Sequence, residues 1–328
     1  MKALVTGGLG FIGSHLVDRL LKDGWDVVVL DNLLTADASN LKHQNRNPNL
    51  KIVKGDIRNI DTLKKTSKGC DTVFHMAAHA LMRESLNDHK LDLDYNLVGT
   101  LNVLDAMVSN GIPDLVFAST SAIYGEAKVI PTPEDYVGIQ TSLYGASKLG
   151  CEAFAQAFLE LAPMRFWAYR FGTVVGERCR RGAIWDFIRK LKENPKRLEI
   201  LGNGKQRKDY LYVKDCIDGI ILGYENSSDR LNIFNLGLQQ QTTVDRLADI
   251  VIEEVGLPEV KKEYAGERTG WIGDNPIVHL SIERIRKVGW NPVFSAEEAI
   301  RLTTRWTLKE LGSNREKMAS HKSQELKE

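Results

Sequence analysis

The sequence predicts an α/β fold: a doubly wound parallel sheet followed by a smaller C-terminal α/β lobe. Three observations carry this. Short apolar runs alternate with helical stretches from residue 3 to residue 171. A glycine-rich turn, Gly7-Gly8-Leu9-Gly10-Phe11-Ile12-Gly13, separates the first strand from the first helix. A hydroxyl cluster, Ser119-Thr120-Ser121, closes a later strand, and ligands gather at the carboxyl ends of strands in open sheets.

Residues 3–6 form the first strand, and a helix runs from the turn to residue 21. Glycines at 7, 10 and 13 let the backbone turn tightly and let a pyrophosphate reach the N–H groups that open the helix at Phe11 and Ile12. Residues 26–30 form the second strand, which ends in Asp31-Asn32. An acid about 20 residues past such glycines accepts both ribose hydroxyls of an adenosine and repels a 2′-phosphate, so NAD is expected rather than NADP. Residues 32–50 are polar and read as a connection. Residues 51–54 make the third strand, ending in Gly55-Asp56-Ile57, with Asp56 at the adenine edge.

The fourth strand covers 72–76, and the small pair Ala77-Ala78 lets backbone lie against the cofactor. His75 and His79 have helical zinc spacing, but they straddle a strand end without a third ligand, so a structural role is expected and no metal. A long helix is expected over 91–110, stopped by Gly111. The fifth strand covers 115–118 and the sixth 165–171. Beyond Gly172 the pattern loosens, with apolar helices near 214–225 and 243–255. The expected division is a cofactor-binding domain over 1–172, a substrate lobe over 173–312 interleaved with the sheet, and a disordered polar tail over 313–328.

A net charge of +1 gives no reason to expect nucleic acid or an anionic membrane surface as partner. No apolar run approaches the length of a membrane span. Cys70, Cys151, Cys179 and Cys216 are scattered, as reduced thiols of a cytoplasmic protein would be.

Tyr144 and Lys148 head an apolar helical run, and residues four apart share a helix face. A nearby cation favours the phenolate, so Lys148 is expected to lower the Tyr144 pKa and make a usable base.

Taken together these residues resemble the extended short-chain dehydrogenase/reductase family, in its nucleotide-sugar epimerase branch. The resemblance runs from residue 2 to about 310. It rests on Gly7-x-x-Gly10-x-x-Gly13, Asp31, Gly55-Asp56-Ile57, His75-Met76-Ala77-Ala78, Asn96 with Gly99-Thr100, Ser119 to Gly125, Tyr144-x-x-x-Lys148, Arg170 to Gly176, and Gly202-x-Gly204-x-Gln206-x-x-Asp209-Tyr210. It implies a Rossmann domain holding NAD, with Asn96 among the cofactor contacts, and a catalytic set of Thr120, Tyr144 and Lys148. In the implied chemistry Tyr144 takes the sugar hydroxyl proton, Thr120 hydrogen-bonds the same oxygen, and Lys148 binds the nicotinamide ribose. The sugar is oxidised transiently and reduced on its other face. The resemblance also implies a homodimer through the helices at 91–110 and 144–161.

Within the branch, dehydratases and decarboxylases carry acids after the Thr, where this chain has Ser121 and Ala122. Oxidation and return at one carbon is what remains. Thr173 stands where the pattern usually has Asn. With Arg83 and Arg180 it is similar to epimerases of UDP-glucuronate. The diphosphate is left to Lys208, with Arg207 beside it, or to Arg268, and for each a surface role is about equally expected. The reading is therefore a UDP-sugar 4-epimerase, with UDP-glucuronate slightly ahead of UDP-glucose. A net nucleotide-sugar oxidoreductase and a non-catalytic sensor of NAD or nucleotide-sugar are the other readings.

Overall fold

The structure is a computed structural model that describes residues 1–325, with side chains to residue 312. Of the tail expected to be disordered, 313–328, the backbone as far as Glu325 continues the last helix, and residues 326–328 lie outside that description.

Six strands alternate with helices in the first half: β1 Lys2–Thr6, β2 Asp26–Asp31, β3 Leu50–Lys54, β4 Thr72–His75, β5 Asp114–Thr120 and β6 Arg165–Phe171. The chain then leaves the sheet for short strands, β7 Thr173–Val175, β8 Arg197–Ile200, β9 Arg207–Lys208 and β10 Tyr210–Tyr212. It returns with β11 Leu231–Leu236, and β12 Thr242–Thr243 and β13 Lys261–Tyr264 follow. The main sheet has the order β11-β6-β5-β4-β1-β2-β3 and every pair in it is parallel.

Apart from the edge strand β3, the strands of this sheet are buried on both faces, which is why most of them read as apolar runs. Ala3, Val5, Val27 and Val29 point to one core, while Leu4, Val28 and Leu30 point to the other. The helices are α1 Phe11–Lys22, α2 Ile60–Ser67, α3 Gly99–Asn110, α4 Leu143–Leu161, α5 Ala183–Glu193, α6 Val213–Glu225, α7 Val244–Val255, α8 Glu283–Lys287 and α9 Ala296–Glu325. The order in which strands are added reverses between β1 and β4, and the crevice this leaves is where such sheets bind ligands.

The helix expected over 91–110 is not uniform. Leu93–Val98 is π-helical and α3 begins only at Gly99. The wide turn carries the Asn96 carboxamide inward, where Oδ1 accepts the His79 N–H at 2.7 Å and Nδ2 donates to the His79 carbonyl at 3.0 Å. Gly111 ends α3 in the left-handed conformation at φ 66°. Two segments that the sequence left as connection are helical: a 3₁₀ stretch at Ala38–Gln44, and α2.

A buried polar network joins the two halves of the chain. Arg170 on β6 forks onto Glu152 of α4, with Nη2 2.7 Å from Oε2, and Glu152 also accepts the Ser119 hydroxyl. The same guanidinium donates to Tyr124 Oη at 2.9 Å, and Tyr124 donates to Asn235 Oδ1 on β11 at 2.7 Å.

Candidate active site

A cavity of about 290 Å³ opens over the carboxyl ends of β1, β2 and β4. Gly7, Gly10, Phe11, Ile12, Gly13, Asp31, Asn32, Ile57, Ala77 and Ala78 line it. Gly7 sits at φ 67°, and a Cβ there would lie 2.6 Å from the Ala77 nitrogen, so the turn can pack on β4 only without a side chain. Gly10 caps α1 with no side-chain acceptor, which leaves the first-turn N–H groups open toward the cavity. With the helix dipole behind them, these groups make an anion site.

At the lip of β2 the Asp31 carboxylate accepts the Leu9 N–H at 3.0 Å and the Leu33 N–H at 2.8 Å. Burial pushes its pKa up, against those two bonds. Asn32 donates to Asp56 at 2.9 Å, and Arg58 forks onto the same carboxylate at 3.0 and 2.9 Å. Burial opposes the Asp56 charge, but these bonds outweigh it and hold its pKa at about 2. An anion site on a helix N-terminus, with an acid closing the next strand, fits a dinucleotide.

Thr120 ends β5, and its hydroxyl accepts the Ala122 N–H at 3.1 Å, starting the tight turn that carries Ser121 and Ala122. Ser142 caps α4 by accepting the Gly145 N–H at 3.0 Å, which sets Tyr144 in the first turn and Lys148 one turn on. Asn96 steadies this turn by donating to Ser147 Oγ at 3.0 Å. Tyr144 is half-buried, and the Thr120 hydroxyl acts on its phenol.

The expected lowering of the Tyr144 pKa by Lys148 is not what the structure has. Burial pushes the phenol up to about 12, and the cation that acts on it most is Arg181. The Lys148 ammonium lies 3.8 Å over the Phe117 ring, and burial draws its own pKa down to about 8. Water is removed from both groups, and that cost is the largest influence on each.

The residues expected to hold the substrate are dispersed. Thr173 opens β7, and its N–H is bonded to the Asp209 carbonyl at 3.2 Å. Lys208 donates to Asp274 at 2.6 Å and lies 5.2 Å from the Trp271 ring, with Arg83 5.4 Å from the same ring. Arg268 is on the surface, forked onto Glu126 at 2.6 Å by each amino group. Arg180 departs from its expected place. It lines the cofactor cavity and donates to Asn40 at 2.8 Å and to Glu310 at 3.1 and 2.9 Å. Arg178 is left-handed at φ 67°, and it is the charge of Arg181, not of Arg180, that acts on the phenol.

The model of the NAD dependent epimerase/dehydratase family matches residues 3–237 of the sequence. The chain belongs to that family. It is similar to a putative UDP-glucose 4-epimerase of Methanocaldococcus jannaschii, 33% identical over 309 residues, which span 92% of this chain and 97% of that protein. It is equally similar to a UDP-glucuronate 4-epimerase of Thermodesulfobacterium geofontis, 33% identical over 320 residues, 93% of this chain and 95% of that one. Among solved structures, a UDP-glucuronic acid 4-epimerase from Bacillus cereus, in complex with UDP-glucuronic acid and NAD, superposes with a TM-score of 0.87. It is 27% identical, covering 94% of this chain and 99% of its own.

In this member of the NAD dependent epimerase/dehydratase family, two site residues escaped sequence reasoning. His79 raised only the question of a metal. In the structure it lines the cavity, with Nδ1 2.8 Å from the buried Asp92 carboxylate. Its neighbour His75 is structural, bonded to the hydroxyls of Thr6 at 2.6 Å and Thr100 at 3.0 Å. Arg181 belongs to the basic loop Arg178–Arg181, and that its charge acts on Tyr144 has no signature in the sequence. No helix among the described residues is long and apolar enough to cross a membrane.

Proposed function

We propose that this protein is an NAD-dependent UDP-sugar 4-epimerase. One observation carries the reading: the Thr120 hydroxyl, at the carboxyl end of β5, acts on the Tyr144 phenol, and Ser121 and Ala122 follow it. That pair addresses one sugar oxygen, and at 121 and 122 there is no acid to expel water or assist loss of a carboxylate. NAD, when bound, supplies a reversible hydride acceptor for the sugar C4. Tyr144 takes the proton of the C4 hydroxyl and later returns it, and Thr120 keeps that oxygen in place. Asp31 and the open N–H groups of α1 hold the cofactor through both halves of the cycle.

UDP-glucuronate, interconverting with UDP-galacturonate, is the substrate we place first. Thr120, Ser121 and Thr173 are neutral hydroxyl donors, and a carboxylate gains about twice as much from each bond as a neutral hydroxyl does. UDP-glucose is the second reading. It is favoured by Arg180, which Glu310 and Asn40 hold at the cofactor cavity. The deciding comparison is kcat/KM for the two sugars, with products resolved by chromatography. A tenfold or greater advantage for UDP-glucose, about 1.4 kcal/mol in transition-state binding, overturns the uronate reading. Reduced cofactor accumulating during turnover would mark a net oxidoreductase instead.

A cytoplasmic homodimer completes the proposal. Leu143, Leu149, Phe154 and Leu161 of α4 are exposed, as is Val108 of α3, and a soluble surface rarely leaves so many large apolar groups together. The four cysteines are free, in keeping with a reducing compartment. A single-chain mass by light scattering at micromolar concentration would overturn the dimer.

A further inference from the structure

Two segments far apart in the chain line the cofactor cavity and are tied to each other there. One is the loop between β7 and α5, through Arg178 and Arg180, and the other is the connection between β2 and β3, through Asp37 and Asn40. Arg180 makes the tie. Its Nη1 donates to Asn40 Oδ1 at 2.8 Å, and its Nη2 lies 3.4 Å from Asp37 Oδ2. Nε and Nη2 also donate to one oxygen of Glu310 on α9, at 3.1 and 2.9 Å, and the Trp306 ring of that helix lies 5.4 Å from the guanidinium.

The tie runs on into the parts that hold a dinucleotide. Asn40 is buried, and its Nδ2 donates to the Leu9 carbonyl in the glycine-rich turn at 2.9 Å. Leu9 donates its N–H to Asp31 at 3.0 Å. One run of hydrogen bonds therefore joins Glu310 to the acid at the lip of β2. A second fastening lies two residues back, where Arg178 donates to Asp18 of α1 at 2.7 Å. Asp18 also takes Gln44 of the same β2–β3 connection at 2.8 Å.

A guanidinium suits this place. Its planar fork puts two N–H groups on Glu310 while a third reaches Asn40, which an ammonium on a flexible stem does not reproduce. About three-quarters of each side chain in the Arg180–Glu310 pair is out of solvent, at 25% and 26% exposure, so salt screens it less than a surface pair.

We propose that Arg180 is a clasp on the cofactor: through Asn40 and Glu310 it holds the β7–α5 loop closed over the cavity, and it must release both before NAD exchanges with solvent. It is a positioning residue that touches no reacting atom. The proposal rests on the cavity holding NAD and not on which sugar is turned over. For a reaction that removes a hydride and returns it, such a clasp keeps the reduced cofactor in place between the two halves.

The test uses the full chain loaded with radiolabelled NAD and chased with unlabelled NAD, with no sugar present. Arg180→Met keeps the length and apolar bulk of the side chain without its donors. Glu310→Ala removes the outer anchor, which lies outside the cavity lining. Each variant should release label roughly tenfold faster than wild type, the low end of what losing hydrogen bonds to a charged group costs. The double variant should be no faster than the quicker single one, because both changes open the same clasp. Release at the wild-type rate from Arg180→Met overturns the proposal. So does fast release from Arg180→Met with wild-type release from Glu310→Ala, which would make Arg180 a contact to the cofactor phosphates. Faster release that tracks a lower urea midpoint in both variants overturns it too, as an effect on the fold. Fast release from both variants of a protein that epimerises no UDP-sugar would sink the epimerase reading and leave the clasp standing.

Discussion

At the scale of single residues the site is a contest between burial and charge. The Tyr144 phenol is pushed up to about 12 by burial, and Thr120 and Arg181 pull against that. A group so placed does no chemistry as a neutral phenol, so its hydroxyl should be indispensable and its ring should not. Tyr144→Phe is expected to lower turnover ~10²–10⁴-fold, the usual loss for a general base. It should leave bound NAD nearly unchanged, because the cavity is closed by Gly7, Asp31 and Ala77 without it. Initial rates and cofactor absorbance on one preparation check both halves, and a variant that keeps most of its activity would remove Tyr144 from the mechanism. The spacing of Tyr144 and Lys148 was legible because four residues make one helical turn. The cation that acts on the phenol was not, because it comes from a loop distant in the chain.

Elements meet the site through glycines whose reasons are local to packing. Asp209 is fully buried where β6 and β11 end, and burial raises its carboxyl to about 7 despite a bond from the Leu238 N–H. A Cβ on Gly172 would lie 2.3 Å from one of its oxygens, and a Cβ on Gly237 would lie 2.2 Å from the other. Neither strand end can retreat, since β6 and β11 pair over six positions. Gly172→Ala is therefore expected to destabilise the protein by about 1–3 kcal/mol, the range for overpacking, read as a lower urea midpoint at unchanged slope. An unchanged midpoint would show that Asp209 has room to move. The sequence displays Gly172 and Asp209 as separate marks, and only folding shows that one makes space for the other. The same limit explains the other misses at this scale. Most of the sheet strands were legible because burial on both faces leaves apolar runs. The π-helical turn at Leu93–Val98 was not, because its cause is Asn96 reaching the backbone of His79, a contact between distant segments.

At the scale of the molecule, the alternation of strand and helix through residue 171 was enough to read a doubly wound sheet. The way the second half re-enters it was read only as interleaving. What the sequence could not display is that Arg170, Glu152, Tyr124 and Asn235 are bonded into one buried chain across both halves. This has a consequence for how ligand gets in and out. A clamshell motion that parts the halves would have to draw Asn235 from Tyr124, Glu134 and Thr132 inside the protein. Leaving buried polar groups unpaired costs about 1–3 kcal/mol each, so the parted form would be rare. The stretch over 265–269 is held more cheaply than Asp274 beyond it, which is buried and pairs with Lys208 at 2.6 Å. Its Arg268–Glu126 pair is exposed, and exposed pairs contribute at most about 1 kcal/mol. Gly266 there is already left-handed, at φ 93°. Hydrogen exchange should find amides in 266–269 opening locally, while those of β6 and β11 exchange only when the whole chain unfolds. Equal protection of the two regions would argue for the clamshell. On this account motion is confined to a short glycine-jointed stretch, and the sheet beneath it stays closed.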